Sequence, residues 1–410
     1  MAEIETSGHF RKAVPRCSSI SPAPSYGDEG KLCDVPCTLT EPRALWRRVF
    51  RGRAKVRRVV SATFLIYGAN GYTGELIARA ARARGLAPVL ASRRASALQA
   101  LARELGLEQR TFTLDDAAAL DAGLAGVGAV LHCAGPFSHT SRPMADACLR
   151  TGVHYLDVTG EIAVFEALAT CNDAAKQRGV TLLPGVGFDV VPSDCLAAHL
   201  KRRLPTADHL RLAFGALLDM SRGTANSTIE SLGLPNLVRR EGKLVAQRMG
   251  ALTRVIDLGS GPEIGVAIPW GDVSTAYYST GIGNIEVYSV PPAPVRIAMK
   301  AYPLLAPLLR SQRVQSLLKR RVMAGAAGPS AEQRAHGRSR LWGEVTDRAG
   351  GSAVSLLATP EGYTLTIETA LASVQRVLAG GVPVGFQTPS LAFGPDFILQ
   401  MPGVTRTDRN

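Results

Sequence analysis

The stretch that decides the fold is Phe64-Leu65-Ile66-Tyr67-Gly68-Ala69-Asn70-Gly71-Tyr72-Thr73-Gly74. An apolar, β-prone run from Ala62 to Tyr67 is followed by three glycines, and a helical pattern opens at Glu75. Glycine allows a tight turn that lets backbone N–H groups reach a pyrophosphate, and the helix dipole attracts the anion. The spacing is G-x-x-G-x-x-G rather than the commoner G-x-G-x-x-G, so a turn that merely joins strand to helix is the alternative. We expect cofactor contacts from Gly68, Asn70, Gly71, Tyr72, Thr73 and Gly74.

The end of the second predicted strand indicates which nucleotide binds. Pro88–Ala91 reads as that strand, and Ser92-Arg93-Arg94 follows it. In NAD-binding folds an Asp or Glu about 20 residues past the glycines accepts a hydrogen bond from the ribose 2′-OH. A hydroxyl and two guanidiniums instead suit a 2′-phosphate, through charge-assisted and partly bidentate contacts. A solvated basic turn is the alternative, but these residue types favour NADP, with Ser92, Arg93 and Arg94 as its ligands.

Alternating strand and helix patterns continue beyond this point. We predict strands over 109–114, 127–133, 155–158 and 180–183, and helices over 143–151 and 162–178. This alternation is typical of an α/β fold, a Rossmann-type doubly wound parallel sheet with helices on both faces. The run 127–133 ends in Ala134-Gly135-Pro136, at the carboxyl edge where such sheets bind ligands. We therefore add Ala134, Gly135 and Pro136 to the cofactor site.

The length of 410 residues predicts two or three domains. We place an NADP-binding domain at 61–195, an α+β domain for substrate or dimerisation at 196–360, and a C-terminal return segment at 361–410. The α+β domain contains four strand-like runs, at 210–217, 266–269, 285–290 and 352–359, and a helical stretch from Gly223 to Arg240. A long helix is expected over 363–379 and a closing loop and strand over 386–403. Residues 1–60 predict a disordered basic extension, of which the segment 1–42 is rich in Ser, Pro and Gly.

The formal net charge of +13 invites a nucleic-acid interpretation, but its distribution argues against one. Residues 1–60 hold 12 Lys/Arg and 6 Asp/Glu, and residues 61–410 hold 35 and 28. The charge of the body is diffuse and few aromatic residues interleave with it, so no groove for nucleic acid is indicated. Seven scattered cysteines and seven histidines show neither C-x-x-C nor H-x-x-x-H spacing. Reduced thiols in a cytoplasmic protein without a metal site are therefore expected.

Two basic segments are candidates for contact with a membrane. Arg43–Arg58 holds seven arginines among apolar residues, which fits a membrane-surface or targeting helix, an unstructured extension, or an upstream start assignment. Pro291–Leu309 is an apolar segment with five prolines, and a strongly basic run through Arg321 follows it. No signal peptide or membrane span is predicted. The second segment fits either a packed loop and helix or a lid over an apolar cleft, whose arginines would face an acidic carrier or an anionic membrane.

Several motifs, in this order along the chain, resemble a known family. They are Gly68–Gly74, Ala134–Phe137, Tyr155–Glu161, Gly187–Asp194, Gly223-Thr224, Gly328–Ser330, Gly362–Thr366 and Thr388-Pro389. The set is similar to the saccharopine dehydrogenase-like oxidoreductases, in the branch that includes trans-acting enoyl reductases of lipid and polyketide assembly. It covers about residues 62–403. The resemblance implies an NADP-binding domain, an inserted α+β domain, and a small-molecule or carrier-bound acyl substrate rather than an amino acid.

The chemistry requires a bound nicotinamide, a dry site and often one group that handles a proton. Short-chain dehydrogenases use Tyr-x-x-x-Lys for this purpose, but none of the nine tyrosines has a lysine four residues on. The titratable candidates near the strand ends are Tyr155, Asp157, Glu161, Asp189 and Asp194.

Two hypotheses remain open. One is an NADP(H)-dependent reductase of an acyl or enoyl substrate. The other is a catalytically idle NADP(H)-binding protein on lipid surfaces, which the lack of an evident acid–base pair keeps open. Both hypotheses are compatible with a peripheral membrane contact and with a homodimer.

Overall fold

The computed structural model of the chain describes residues 63–215, 220–232 and 234–409. The predicted extension 1–60 and the segment Arg43–Arg58 lie outside them. The described strands are β1 (Phe64–Tyr67), β2 (Val89–Ser92), β3 (Gln109–Thr111), β4 (Ala129–His132), β5 (His154–Asp157), β6 (Thr181–Leu183), β7 (His209–Gly215), β8 (Asn236–Arg240), β9 (Lys243–Gln247), β10 (Thr253–Asp257), β11 (Pro262–Ala267), β12 (Asn284–Val290), β13 (Arg338–Thr346), β14 (Ser352–Pro360), β15 (Gly385–Phe386) and β16 (Thr405–Arg409).

The described helices alternate with the first strands and then separate from them. They are α1 (Tyr72–Ala83), α2 (Ala95–Leu105), α3 (Ala117–Gly123), α4 (Phe137–Thr151), α5 (Ile162–Ala169), α6 (Asn172–Arg178), α7 (Val191–Arg203), α8 (Arg222–Glu230), α9 (Asp272–Thr280), α10 (Ala293–Leu309), α11 (Gln312–Ala324), α12 (Ala331–His336), α13 (Gly362–Ala379) and α14 (Pro389–Phe393). No helix within these ranges is both long and apolar enough to cross a membrane.

The first sheet is a seven-stranded parallel sheet in the order β15-β6-β5-β4-β1-β2-β3. Its central strands are buried along their whole length, as their continuous apolar runs predict. In the register, Leu65 of β1 lies between Val89 of β2 and Val130 of β4. The strand order reverses beside β1, where doubly wound sheets bind ligands. The predicted fold class is confirmed.

Helices cover both faces of this sheet. On one face Ile77 of α1 and Leu371 of α13 pack in one apolar cluster with Ile66 of β1. On the other face Met144 of α4 and Phe165 of α5 pack in a second cluster. The sheet is therefore dry on both sides, and its ligands approach from the edge at which the strands end.

The second sheet has nine strands in a mixed arrangement. Its path runs β10-β11-β12-β7-β13-β14-β16, and β8 pairs with β12 and β9. The β12–β7 pair is parallel and the other pairs are antiparallel. Helix α7 covers this sheet, and its Leu196 and Leu200 pack in one cluster with Leu212 and Val287. Some elements of this α+β unit cover part of the first sheet.

Four predictions for individual elements are wrong. The stretch 162–178 forms two helices, α5 and α6, not one. The helix at Gly223 ends at Glu230, and the chain then enters β8 because 236–240 pair with β9. The segment 291–309 is helical over α10 despite its prolines, and 386–403 contains α14 and a short 3₁₀ turn before β16.

Candidate cofactor and substrate site

The glycine turn between β1 and α1 depends on close backbone contacts. Gly68 has φ of +84°, which favours glycine, and a Cβ there would lie 2.9 Å from Ala134 Cβ. A Cβ on Gly74 would lie 2.4 Å from the Gly68 carbonyl oxygen. The third glycine therefore lets helix α1 pack tightly against the turn, as dinucleotide-binding turns require. Ala134, predicted as a cofactor residue, forms one wall of this turn.

The N-terminus of α1 is open to an anion. Its N-cap residue is Gly71, and no side chain caps the first turn. The first amides of a helix have no intrahelical acceptor, so those of Tyr72, Thr73 and Gly74 are available to bind an anion. The one acid in this turn, Glu75, is paired with Arg79 at 2.9 Å. These features fit a pyrophosphate.

The end of β2 carries the two arginines predicted to select the nucleotide. The Ser92 hydroxyl is buried; it donates to the Arg94 carbonyl oxygen and accepts from the Arg94 N–H. Arg93 and Arg94 are exposed, and neither has an ion-pair partner among the described residues. Ser92 thus holds the turn, and the two guanidiniums beside it are exposed and without an ion-pair partner among the described residues.

Glu161, one of the predicted proton donors, is bonded to the start of α4. Its carboxylate accepts from the N–H groups of Phe137 at 2.9 Å and Ser138 at 2.8 Å. The helix dipole favours an anion at this position. The interaction fixes the Gly135-Pro136 turn, in which Gly135 is exposed above β4. Glu161 is therefore a positioning residue for this edge of the site.

Tyr155 and Asp157 form a buried pair within β5. The Tyr155 hydroxyl donates to Asp157 Oδ2 at 2.6 Å, while Asp157 Oδ1 accepts from the N–H groups of Thr159 and Gly185. Burial raises the pKa of Asp157 to about 6, although these three hydrogen bonds act in the opposite direction. Neither side chain reaches the surface, so the pair joins the loops after β5 and β6.

Asp189 differs from the other acidic candidates. It is partly exposed, and its carboxylate has no hydrogen-bond partner among the described residues. Burial raises its pKa to about 6. Gly160 leaves room for it, because a Cβ there would lie 3.1 Å from Asp189 Oδ2. Asp194, by contrast, is buried in α7 and accepts from the Ser390 N–H at 2.7 Å.

Tyr72 of the glycine turn connects the first sheet to the second unit. Its hydroxyl donates to the Pro329 carbonyl oxygen and accepts from the Arg334 guanidinium. Its ring meets the Tyr363 ring edge to face, with centroids 5.0 Å apart. Gly328 lies against the Tyr72 ring, since a Cβ there would come within 2.7 Å. A residue predicted to touch the cofactor therefore also anchors the segment that covers the turn.

Tyr363, at the start of α13, is a site residue that the sequence did not single out. Its hydroxyl accepts from the Ser221 N–H at 2.7 Å and is hydrogen-bonded to Thr224 at 3.0 Å. Burial raises its pKa, and the nearby charge of Asp189 adds to the effect. The motifs at 223–224, 328–330 and 362–366 thus converge on Tyr72. The sequence showed these motifs as part of the family resemblance, but it did not indicate what each motif does.

An apolar cavity of about 360 Å³ lies between α8 and α11. Its lining residues are Met220, Ala225, Thr228, Ile229, Leu318, Arg321 and Val322. On another face of α8, Ser227 donates to Glu161 at 3.5 Å, and a Cβ on Gly135 would lie 3.6 Å from the Ser227 hydroxyl. The strand-end site and the cavity therefore lie on different sides of helix α8.

Fold and site together define an NADP-binding oxidoreductase domain of the Rossmann type. Residues 64–183 match the family model described as the saccharopine dehydrogenase NADP binding domain. This match confirms the predicted resemblance to the saccharopine dehydrogenase-like oxidoreductases and a nicotinamide dinucleotide as cofactor. Apo saccharopine dehydrogenase (L-Glu forming) from Saccharomyces cerevisiae has the same fold, with a TM-score of 0.59 over 85% of this chain and 100% of that one, at 12% identity.

Curated relatives carry a more specific name. A trans-acting enoyl reductase of Mycobacterium leprae is 32% identical over 148 residues, which are 34% of this chain and 35% of that protein. One from Mycobacterium tuberculosis (strain H37Rv) is 30% identical over 147 residues, with the same shares. The chain thus matches about a third of the length of these relatives.

Proposed function

We propose that this protein is an NADPH-dependent reductase that saturates the α,β double bond of an acyl thioester. The observation that carries the proposal is Asp189, a partly exposed carboxyl without a hydrogen-bond partner among the described residues, at the strand ends where a nicotinamide belongs. The enoyl reductase name of relatives at about 30% identity supports the substrate class. When bound, NADPH supplies the hydride that goes to the β-carbon.

The residues of the chain bind the cofactor and orient it. The free amides of α1 would hold the pyrophosphate of the cofactor, and the guanidiniums of Arg93 and Arg94 would hold its 2′-phosphate. Glu161 keeps the Gly135-Pro136 turn in place beside the strand ends. Tyr72, held by Pro329 and Arg334, keeps the covering segment over the turn and helps to exclude water.

Asp189 supplies the proton that the α-carbon takes up after hydride addition. Its pKa of about 6 lets it exist in both protonation states near neutral pH, which general acid catalysis requires. In the overall reaction the C=C π bond breaks, the β-carbon gains the hydride, and the α-carbon gains the proton. Asp189 then regains a proton from solvent, to which it is partly exposed.

The cavity between α8 and α11 holds the acyl chain. Its volume of about 360 Å³ lies in the range of roughly 300–1,000 Å³ usual for ligand pockets, and five of its seven lining residues are apolar. Thr224 and Ser227 lie on the site side of α8, while Ala225, Thr228 and Ile229 lie on the cavity side. A thioester at the strand ends can therefore extend its tail around α8.

The test follows NADPH oxidation with enoyl thioesters of increasing chain length. We expect Asp189→Asn to lower kcat by about 10²–10⁴-fold, as the loss of a general acid does, with NADPH affinity unchanged. Asp173→Asn, an exposed carboxylate on α6, is the matched control. Ala225→Leu should shift the preference toward short chains. Tight NADPH binding without oxidation by any thioester would contradict the proposal and favour the catalytically idle protein.

A further inference from the structure

Helices α10 and α11 form a layer that the rest of the protein does not bury. None of the described side chains on either helix is buried. This is unusual for α10, whose 17 residues are mostly Ala, Val, Leu, Met and Pro. An apolar helix that the fold leaves uncovered is usually covered by something else.

Large aliphatic side chains are exposed along both helices. Ile297 and Leu308 on α10 are 68% and 59% exposed, and Leu317 on α11 is 66% exposed. Three more large apolar side chains on the same pair are exposed, namely Val295, Leu305 and Met323, and Met220 is exposed beside the cavity. Exposed aliphatics also occur elsewhere on the protein, as at Val255 and Ile264, but six large apolar side chains exposed on one helix pair mark an interaction surface.

The same helices carry the excess positive charge of the body. Residues 287–331 contain seven Lys or Arg and no Asp or Glu. Because residues 61–410 hold 35 Lys/Arg and 28 Asp/Glu, the rest of that range has equal numbers of each. Arg313 and Arg320 of α11 are exposed and have no ion-pair partner among the described residues, whereas Lys319 is paired with Glu230.

We propose that α10 and α11 lie on the surface of an anionic lipid bilayer. Exposed aliphatics beside unpaired cations are the pattern of an interfacial helix, whose apolar side chains enter the headgroup region while the cations meet anionic lipids. A second copy of this chain is a poorer occupant, because two such faces would bring like charges together. An acidic protein would satisfy the cations but offers no apolar phase for the leucines. Neither helix is a membrane span, so the contact is peripheral.

The surface adjoins the apolar cavity. Leu318 and Val322 of α11 line the cavity, while Leu317 and Met323 of the same helix are exposed on its outer side. A bilayer against α11 would therefore lie next to the cavity wall. The docking proposal rests on exposure and charge, and it holds whether or not the protein reduces an acyl substrate.

The first test measures co-sedimentation of the full chain with vesicles of phosphatidylcholine alone or mixed with phosphatidylglycerol. We expect binding to the mixed vesicles, weakened by salt. Ile297→Ser/Leu308→Ser/Leu317→Ser should lower the affinity at least about tenfold, because each serine removes apolar insertion. Val255→Ser/Ile264→Ser, an exposed pair on β10–β11, is the control and should bind normally. Unfolding of the triple variant would show that these residues are core, and would overturn the proposal.

A charge-reversal pair tests the same surface without changing its apolar area. Arg313→Glu/Arg320→Glu should weaken binding to phosphatidylglycerol vesicles at least about tenfold, since each cation near such a surface contributes roughly fivefold. Arg82→Glu/Arg103→Glu, at exposed positions on α1 and α2, is the matched control and should have little effect. Unchanged binding by both surface variants would assign any binding to residues outside α10–α11. Self-association of the wild-type chain through this face, abolished by the serine variant, would also overturn the proposal.

Discussion

Gly68→Ala tests the role of the glycine turn sharply, because a second glycine with a similar backbone conformation serves as a matched control. Gly68 and Gly85 both have positive φ, +84° and +76°. An alanine at either position pays about 1–2 kcal/mol for the left-handed conformation. A Cβ on Gly85 would meet nothing within 4 Å, whereas on Gly68 it would lie 2.9 Å from Ala134 Cβ and N. Any difference between the two variants therefore measures the close approach alone.

The size of that difference follows from the contacts. Carbon atoms pack at about 3.5–4.0 Å, so the turn must shift by about 0.6–1 Å, and overpacking of this kind costs about 1–3 kcal/mol. The shift moves the N-terminus of α1, since the Gly71 N–H donates to the Gly68 carbonyl oxygen at 2.9 Å. We expect Gly68→Ala to weaken NADPH binding about tenfold or more, and Gly85→Ala to leave it unchanged. The free energy of unfolding is measured by chemical denaturation, and the cofactor affinity is measured by the fluorescence of bound NADPH. Equal losses in both variants would refute this account of the turn.

Three further predictions concern the nucleotide, the buried pair and the N-terminal residues. Arg93→Ala should weaken NADPH binding about tenfold or more while sparing NADH, since a hydrogen bond to a charged group contributes about 1.5–3 kcal/mol; equal affinities of the unmodified protein for both cofactors would defeat it. The folded-state pKa of Asp157 is raised from 3.8 to about 6. The wild type should therefore lose on the order of 3 kcal/mol of unfolding free energy as pH rises from about 4 to 7. Urea titrations at several pH values should show that Asp157→Asn removes this loss. Deleting residues 1–58 should leave melting temperature and cofactor affinity intact, because β1 begins at Phe64.

The first sheet could be predicted because its signals are local. Strands such as β1 and β4 are continuous apolar runs, and each glycine turn or helix pattern follows directly in sequence. Long-range pairing was harder to foresee. The two-residue strand β15 joins the sheet beside β6, about 200 residues earlier, and nothing in Gly385-Phe386 alone indicates a strand. Helix α10 was missed because its prolines predict an interruption. Pro294 lies in the first turn, where a missing N–H costs little, and the helix continues through Pro303 and Pro307 to Leu309.

The site was predictable where one motif carries it and unpredictable where several elements meet. The turn residues and the arginines at 93–94 follow from sequence order. The surroundings of the carboxylates do not: Asp157 and Asp189 are each close to a predicted strand end, and only the fold buries one and leaves the other partly exposed. The contact of Tyr363 with Tyr72 joins residues 291 positions apart in the chain. Similarly, the cavity is formed by α8 and α11, which no local pattern brings together.

The central claim is hydride transfer to an enoyl thioester, and isotope transfer tests it most directly. The purified full chain is incubated with NADPH deuterated at the transferable position and a medium-chain enoyl thioester, and the product is analysed by mass spectrometry. The account predicts a saturated product with one deuterium at the β-carbon and a solvent-derived proton at the α-carbon, formed by the wild type and Asp173→Asn but lost in Asp189→Asn. An unlabelled or unreduced thioester, from a protein that binds NADPH tightly, would contradict it.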